Sequence, residues 1–297
     1  MSSAAHNSST CHSKAAVQKI AAIDLGTNNC RLLVAETDMG ATHPRKILRV
    51  LDSFSRIVRL GEGVSQTGLL DENAMERTID ALQACRKKLD KYDLDDYRFV
   101  ATEACRKAKN SDAFIARVAR ETDIHIEVIS TEEEAKLAML GCYSLLDKQV
   151  QHALAFDIGG GSTEVMWVKI APPSHPRSPF AFEPVIQDWV SIPYGVMNVS
   201  EQMGSPGYAE LYFDDIVDRI KRALKEFDAK HAISDSIASS DSAVQLVSTS
   251  GTATTLAAIH QELPRYERSK IDGISLANRD IHDTIDNLLH MLSLIHI

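Results

Sequence analysis

The chain has 297 residues, 44% of them hydrophobic and 25% charged, which is enough for about two domains with real cores. A formal net charge of −9 disfavours general nucleic-acid binding, and no apolar run is long enough to span a bilayer. The five cysteines (Cys11, Cys30, Cys85, Cys105 and Cys142) form no CxxC pair, so free thiols in a reducing cytoplasm are expected.

Residues 1–18, rich in Ser and Ala and without the apolar centre of a secretory signal, are expected to form a disordered tail. Ile20–Ile23 then reads as a strand ending in Asp24, followed by a Gly26-Thr27-Asn28-Asn29 turn and a second strand through Leu32–Ala35. A strand-like stretch lies in Arg49–Leu60. Asp71–Leu89 has helical spacing, with Ala74, Ile79, Leu82 and Cys85 on one face. Tyr97–Ala101 reads as strand, Asp112–Glu121 as helix and Ile124–Ile129 as strand, and Ser130 opens a helix running to about Leu146. Ala153–Phe156 is the next strand. It ends in Asp157 and a Gly159-Gly160-Gly161-Ser162 turn, and Val165–Ile170 continues as strand. Five prolines between Ala171 and Pro184 predict an exposed loop there. Tyr208–Phe227 reads as amphipathic helix, Leu246-Val247 ends a strand, and Thr254–Gln261 is helix after Ser250-Gly251-Thr252.

One internal echo carries most weight. Ala22-Ile23-Asp24-Leu25-Gly26-Thr27 is repeated as Ala155-Phe156-Asp157-Ile158-Gly159-Gly160, 133 residues later. Two copies of strand, Asp, Gly turn and strand at domain-sized spacing predict an α/β chain of two similar domains around a cleft. Glycine turns let a backbone approach an anion and aim successive amides at it, although Gly, Asn and Ser also make ordinary hairpin turns.

Asp24–Asn29 resembles the first phosphate loop of the exopolyphosphatase/guanosine pentaphosphate phosphatase family, and Asp157–Glu164 resembles its second. Ser250-Gly251-Thr252 is similar to its third. Thr102–Arg106 and Glu133–Leu137 fall where the family places an arginine and a catalytic glutamate. The resemblance implies the actin-like ATPase (ribonuclease H-like) fold, with domain I at 19–140 and domain II at 141–297. It also implies a terminal phosphate of polyphosphate or guanosine pentaphosphate as the target, a cytoplasmic setting and a possible homodimer.

The implied chemistry assigns residues as follows. Gly26, Thr27, Asn28, Asn29, Gly159, Gly160, Gly161, Ser162, Thr163, Gly251 and Thr252 would bind phosphate. Asp157, Glu164 and Asp24 are hard oxygen donors suited to Mg2+, which takes one or two carboxylates and keeps several waters. Arg106 would grip phosphate as a fork. In the run Glu132-Glu133-Glu134, helical periodicity turns Glu132 away from the apolar stripe but does not separate Glu133 from Glu134, and Ser130 and Glu133 have capping-box spacing. The family match selects Glu134 as the group that activates water. Long family members carry a further helical module, so this chain resembles the short form. Its last six residues, Leu292–Ile297, resemble a translated sequencing adapter inside helix-like sequence, so a truncated domain II is expected. Two other readings share the glycine turns: an actin-fold kinase for a small acceptor, and a non-enzymatic sensor of guanosine tetra- or pentaphosphate.

Overall fold

In Gln18–Leu25 every second residue from Ala21 onward (Ala21, Ile23, Leu25) is buried, while Asp24 faces the other way, as the two-residue period of a strand requires. This is β1 of a computed structural model that describes residues 17–37, 48–147, 149–172, 183–203, 209–239 and 244–294. Most of the tail expected at 1–18, and the last three residues, lie outside the described residues.

The first sheet contains β1, β2 (Asn29–Thr37), β3 (Leu48–Ile57), β4 (Asp96–Ala101) and β5 (Glu127–Val128), in the order β3-β2-β1-β4-β5. β1 pairs antiparallel with β2 and parallel with β4. The second sheet contains β6 (His152–Ile158), β7 (Thr163–Ala171), β8 (Glu183–Ile192) and β9 (Val244–Thr249), in the order β8-β7-β6-β9. β6 pairs antiparallel with β7 and parallel with β9. The two sheets therefore repeat each other strand for strand over four strands, the arrangement of the actin-like ATPase fold. The repeat extends to a register shift between Val34 and Ala35 in β2 and another between Trp167 and Val168 in β7, again 133 residues apart.

The helices are α1 (Val64–Thr67), α2 (Glu72–Leu89), α3 (Glu103–Lys107), α4 (Ser111–Thr122), α5 (Thr131–Gly141), α6 (Val196–Met203), α7 (Ala209–His231), α8 (Ile233–Ala238), α9 (Ser250–His260), α10 (Arg268–Ile271) and α11 (Asn278–Leu294). Asp71 caps α2 by accepting from the Ala74 N–H at 3.2 Å. That helix buries Ile79, Leu82, Cys85 and Leu89 with Phe114 and Val118 of α4 against the first sheet. Each fully buried aliphatic side chain there stabilises by about 1.5–3 kcal/mol. The second sheet is covered on both faces. Met166 and Val168 pack with Ala135 and Met139 of α5 on one side, and Val165 and Trp167 with Phe227 of α7 on the other. β7 accordingly reads as a near-continuous apolar run.

Three local differences from the sequence reading have physical causes. The expected strand at Ile124–Ile129 pairs with β4 at Glu127–Val128, with a further bond from the Ile129 N–H to the Ala101 carbonyl at 3.1 Å, while Ile124 and Ile126 lie ahead of the ladder with their side chains in the core. The helix from Ser130 stops at Gly141 and continues as a short 3₁₀ turn through Tyr143–Leu145. Pro184 belongs to β8, opposite Ile170, where an edge position spares it a ladder N–H; residues 173–182 of the expected proline loop lie outside the described residues. Among the described residues no helix is long and apolar enough to cross a membrane, and Cys30, Cys85, Cys105 and Cys142 are buried free thiols.

Candidate active site

The turn after β1 is closed by the Gly26 N–H donating to the Asn29 carbonyl at 2.9 Å. Its outer carbonyls are held from behind: Asn28 O accepts from the N–H groups of Val58 (2.9 Å) and Arg59 (3.0 Å), and Thr27 O accepts from Gly61 (2.9 Å). A Cβ at Gly61 would collide with the Thr27 side chain, so a larger residue in this backing segment would force Thr27 to move.

The turn after β6 is built the same way. The Gly159 N–H donates to Ser162 O at 2.9 Å. Behind it, the N–H groups of Val196 and Met197 donate to Gly159 O (3.0 Å) and Gly160 O (2.7 Å), and Asn198 Nδ2 donates to Gly161 O. A Cβ at Gly195 would fall 2.5 Å from Gly160 O. Among the described residues, no backbone hydrogen bond uses the N–H groups of Thr27, Asn28, Gly160 or Gly161. With their carbonyls engaged behind, both turns keep donors for an anion.

The two turns meet. A Cβ at Gly160 would lie 3.1 Å from Thr27 Cβ and 3.2 Å from Asn28 N. Between them is a polar cavity of about 90 Å3, lined by both turns and by Asp24, Arg31, Glu134, Asp157 and Glu164, with Thr102, Glu103 and Ser250.

Side-chain periodicity explains the carboxylates. Asp157 shares its face of β6 with Ala153 and Ala155, the face that α5 packs on, so Asp157 and Glu134 converge. Opposite Asp157 on β7 stands Glu164, only 3% exposed, whose Oε1 accepts from Ser162 Oγ at 2.7 Å and Ser191 Oγ at 2.9 Å. Loss of bulk water raises the carboxyl pKa of Asp157, tempered by Ser250, Arg31 and Thr249, and raises that of Glu164, tempered by the two serines. Asp24 is raised by burial too, against the pull of Arg31 at 3.9 Å. Its side chain is still 52% exposed to the cleft, so water there moderates the effect.

Glu134 is pushed up to about 7, chiefly by burial, with Glu164 and Asp24 adding to the rise and Arg106 opposing it. Its Oε2 lies 2.7 Å from Arg106 Nη2, close enough for an ion pair but outside hydrogen-bonding angles. Arg106 Nη1 donates to the Ile129 carbonyl at 3.0 Å. Ser130 caps α5 by accepting from the Glu133 N–H at 3.1 Å. The Glu133 carboxylate turns outward to Arg98 at 2.6 Å, and Glu132 pairs with Lys136. Of the three glutamates, only Glu134 lines the cleft.

Gly26, Thr27, Asn28, Asn29, Gly159, Gly160, Gly161 and Ser162 are thus brought together with Asp24, Asp157, Glu164 and Glu134. Arg106 stands behind Glu134 rather than in the cavity wall. Thr163 spends its hydroxyl on Tyr194 O at 2.7 Å. Gly251 and Thr252 are outside the lining, where their neighbour Ser250 stands instead at φ 74°, a conformation costing a non-glycine about 1–3 kcal/mol. Sequence reasoning missed Arg31 and Glu103. Arg31 was legible, because the hairpin register puts it opposite Asp24. Glu103 pairs with Lys107 at the i,i+4 spacing of α3, but it also lies against Gly161, a contact no spacing announces.

The donor set fits a divalent cation shared with a ligand, not a ready-made cage. Asp157 Oδ1 is buried without a hydrogen-bond partner, and Asp24, Glu134 and Glu164 line the same cavity. Among the described residues no three His, Cys, Asp or Glu side chains are grouped closely enough to enclose an ion. Mg2+ characteristically accepts such an arrangement, taking one or two carboxylates and completing its shell with water and phosphate.

Residues 33–294 match the model of the Ppx/GppA phosphatase family. A bifunctional 3-dehydroquinate synthase/phosphatase of Fusobacterium nucleatum is 31% identical over 275 residues, covering 89% of this chain and 38% of that protein. Exopolyphosphatase 2 of Mycobacterium tuberculosis is 38% identical over 156 residues, 51% of this chain and 48% of that protein. The chain therefore spans about half or less of the length of these relatives. The crystal structure of the Aquifex aeolicus family member superposes with a TM-score of 0.68 at 28% identity, over 93% of this chain and 80% of that one. With its twin glycine turns, its converging carboxylates and these matches, the chain belongs to the Ppx/GppA phosphatase family.

Proposed function

We propose that the chain is a phosphohydrolase that removes the terminal phosphate of inorganic polyphosphate or of guanosine pentaphosphate. The observation that carries this reading is that Glu134 and both glycine turns line one small cavity. The M. tuberculosis relative, an exopolyphosphatase by name, supports the substrate class.

The terminal phosphate sits between the turns, its oxygens taking the N–H groups of Thr27, Asn28, Gly160 and Gly161. Two unit charges about 4 Å apart repel by about 4 kcal/mol at an effective dielectric near 20, so phosphate cannot join these carboxylates without compensation. Asp157, Glu164 and Asp24 are the residues that would hold Mg2+, whose charge offsets that repulsion when bound. Glu134 takes a proton from a water aligned with the terminal phosphorus. The water oxygen bonds to phosphorus, the bridging P–O bond breaks, and orthophosphate leaves with the substrate shortened by one unit. Arg106 keeps the Glu134 carboxylate aimed while burial keeps it basic enough to accept the proton near neutral pH. The two-domain division belongs to this reading, supported by a separate core under each sheet, with α5 joining the second. So does a cytoplasmic setting, supported by the free thiols.

The test is orthophosphate release by the purified chain from polyphosphate and from guanosine pentaphosphate, with and without Mg2+. The expected result is release from at least one of them that requires the cation. ATP consumption only when a small acceptor is added would favour a kinase instead. Tight guanosine tetraphosphate binding with no release at any Mg2+ concentration would favour a sensor.

A further inference from the structure

Each phosphate turn is backed by a segment that follows the third strand of its own sheet. Val58–Gly61, after β3, holds the first turn and runs into α1; Tyr194–Asn198, after β8, holds the second and opens α6. Both segments carry a glycine, Gly61 and Gly195, at the point of closest approach to the turn they support. The helices into which the two backing segments run, α1 and α6, are joined by the Glu201 side chain. Glu201, one turn along α6, accepts from the Gly63 N–H through Oε1 at 3.2 Å and from Ser65 Oγ through Oε2 at 2.9 Å. Gly63 is the residue that caps α1, with φ 73°, and Ser65 lies in its first turn.

We infer that Glu201 is a positioning residue, a latch between the two halves that keeps the two phosphate turns in register across the cleft. The inference rests on the cleft being the phosphate site. The physical argument is one of connectivity. The turns approach each other through small side chains and backbone around Thr27, Asn28, Gly160 and Gly161. Their relative placement is therefore set from behind, by rigid segments each tied to its turn by two or three backbone carbonyls. A bond between those segments fixes the spacing of donors that must grip one phosphate from two sides. Misplacement of about 1 Å can cost about a hundredfold in rate, so a modest slackening is measurable. Glu201 is not among the residues that line the cleft, and its hydrogen bonds go to Gly63 and Ser65.

Charge is not what the latch needs. Gln at 201 can accept from the Gly63 N–H through its carbonyl and donate to the Ser65 hydroxyl, which can act as acceptor. Ala can do neither. The experiment compares Glu201→Ala, Glu201→Gln, Ser65→Ala and the Ser65→Ala/Glu201→Ala double variant in the full chain. It measures kcat and KM for polyphosphate with Mg2+, and amide hydrogen exchange over residues 26–29, 61–65, 159–162 and 195–198. We expect Glu201→Ala to lower kcat/KM by about tenfold. Glu201→Gln should return it to within about twofold, and the double variant should be no worse than Glu201→Ala, since both remove the same link. Exchange should quicken in both turns in Glu201→Ala and stay at the wild-type level in Glu201→Gln. Unchanged exchange in the turns, or additive losses in the double variant, would overturn the latch. If the wild-type chain releases no phosphate, the functional reading fails while the exchange comparison still decides the latch.

Discussion

The two phosphate turns share a backbone and differ in nearly everything attached to it. Both close with an N–H to carbonyl bond of 2.9 Å across the same four residues, Gly26 to Asn29 and Gly159 to Ser162. Opposite the aspartate, however, the first hairpin places Arg31 and the second places Glu164. Asp24 is met by a cation at 3.9 Å, whereas Asp157 faces a like charge and keeps an unpartnered oxygen. The tolerance of the glycines differs as well. A Cβ on Gly26 would meet nothing closer than Asn29 O at 3.5 Å, while one on Gly160 or Gly161 would press on the first turn or on Glu103. The duplicated frame thus supplies two similar sets of backbone donors, and the side chains divide the work: the first half brings a basic group to the cleft, and the second brings the surplus of negative charge that calls for a cation.

Substitutions in both halves break or sharpen this contrast. The largest effect is expected at Glu134, which belongs to the second half by packing. Glu134→Gln should lower turnover by about 10²–10⁴-fold with little change in KM, measured by steady-state phosphate release. In the wild type, turnover should rise with pH through about 7, as Glu134 loses its proton. The same shift has the opposite sign for stability: the folded chain holds this proton more tightly than the unfolded chain does. The stabilisation is full below the ordinary pKa of 4.5 and is lost as pH rises through about 7. A pH–rate profile flat between 5 and 9 would remove Glu134 as the base.

Gly195→Ala is next. Its methyl group must displace the Gly160 backbone, so we expect about 1–3 kcal/mol of destabilisation and most of the activity lost. Gly26→Ala, whose methyl group would meet the Asn29 carbonyl at an ordinary contact distance, should change stability by less than about 0.5 kcal/mol. Equal effects of the two in thermal unfolding would erase the asymmetry between the turns. Arg31→Ala removes the one arginine in the cleft wall among the described residues, and activity should fall about tenfold, in part recovered at higher Mg2+. Among the side-chain deletions the smallest effect is expected from Ser162→Ala. Glu164 would keep its bond from Ser191, and denaturant unfolding should show a loss of about 1 kcal/mol.

The turns were legible in the sequence because their signal is local and stated twice, as Asp and Gly at the end of an apolar strand. The choice between Glu133 and Glu134 was not legible from periodicity. In the structure Arg98, a residue on β4, pairs with Glu133, and Glu134 rather than Glu133 lines the cleft. The backing segment Tyr194–Asn198 was invisible for a related reason. Its work is done by main-chain donors and one amide, aimed at a turn some 35 residues earlier in the chain. β8 was hidden by Pro184, which reads as a breaker unless the strand is known to lie at an edge. Thr163 shows the converse: the motif suggests a ligand group, while the alternation of β7 turns its hydroxyl to Tyr194.

The account stands on one phosphate being held from both halves. Its most direct test is the structure of Glu134→Gln with tripolyphosphate and Mg2+ bound. The terminal phosphate should lie within hydrogen-bond reach of N–H groups from both turns, with the residue 134 side chain facing its phosphorus. A terminal phosphate held by one turn alone, or seated away from residue 134, would contradict it.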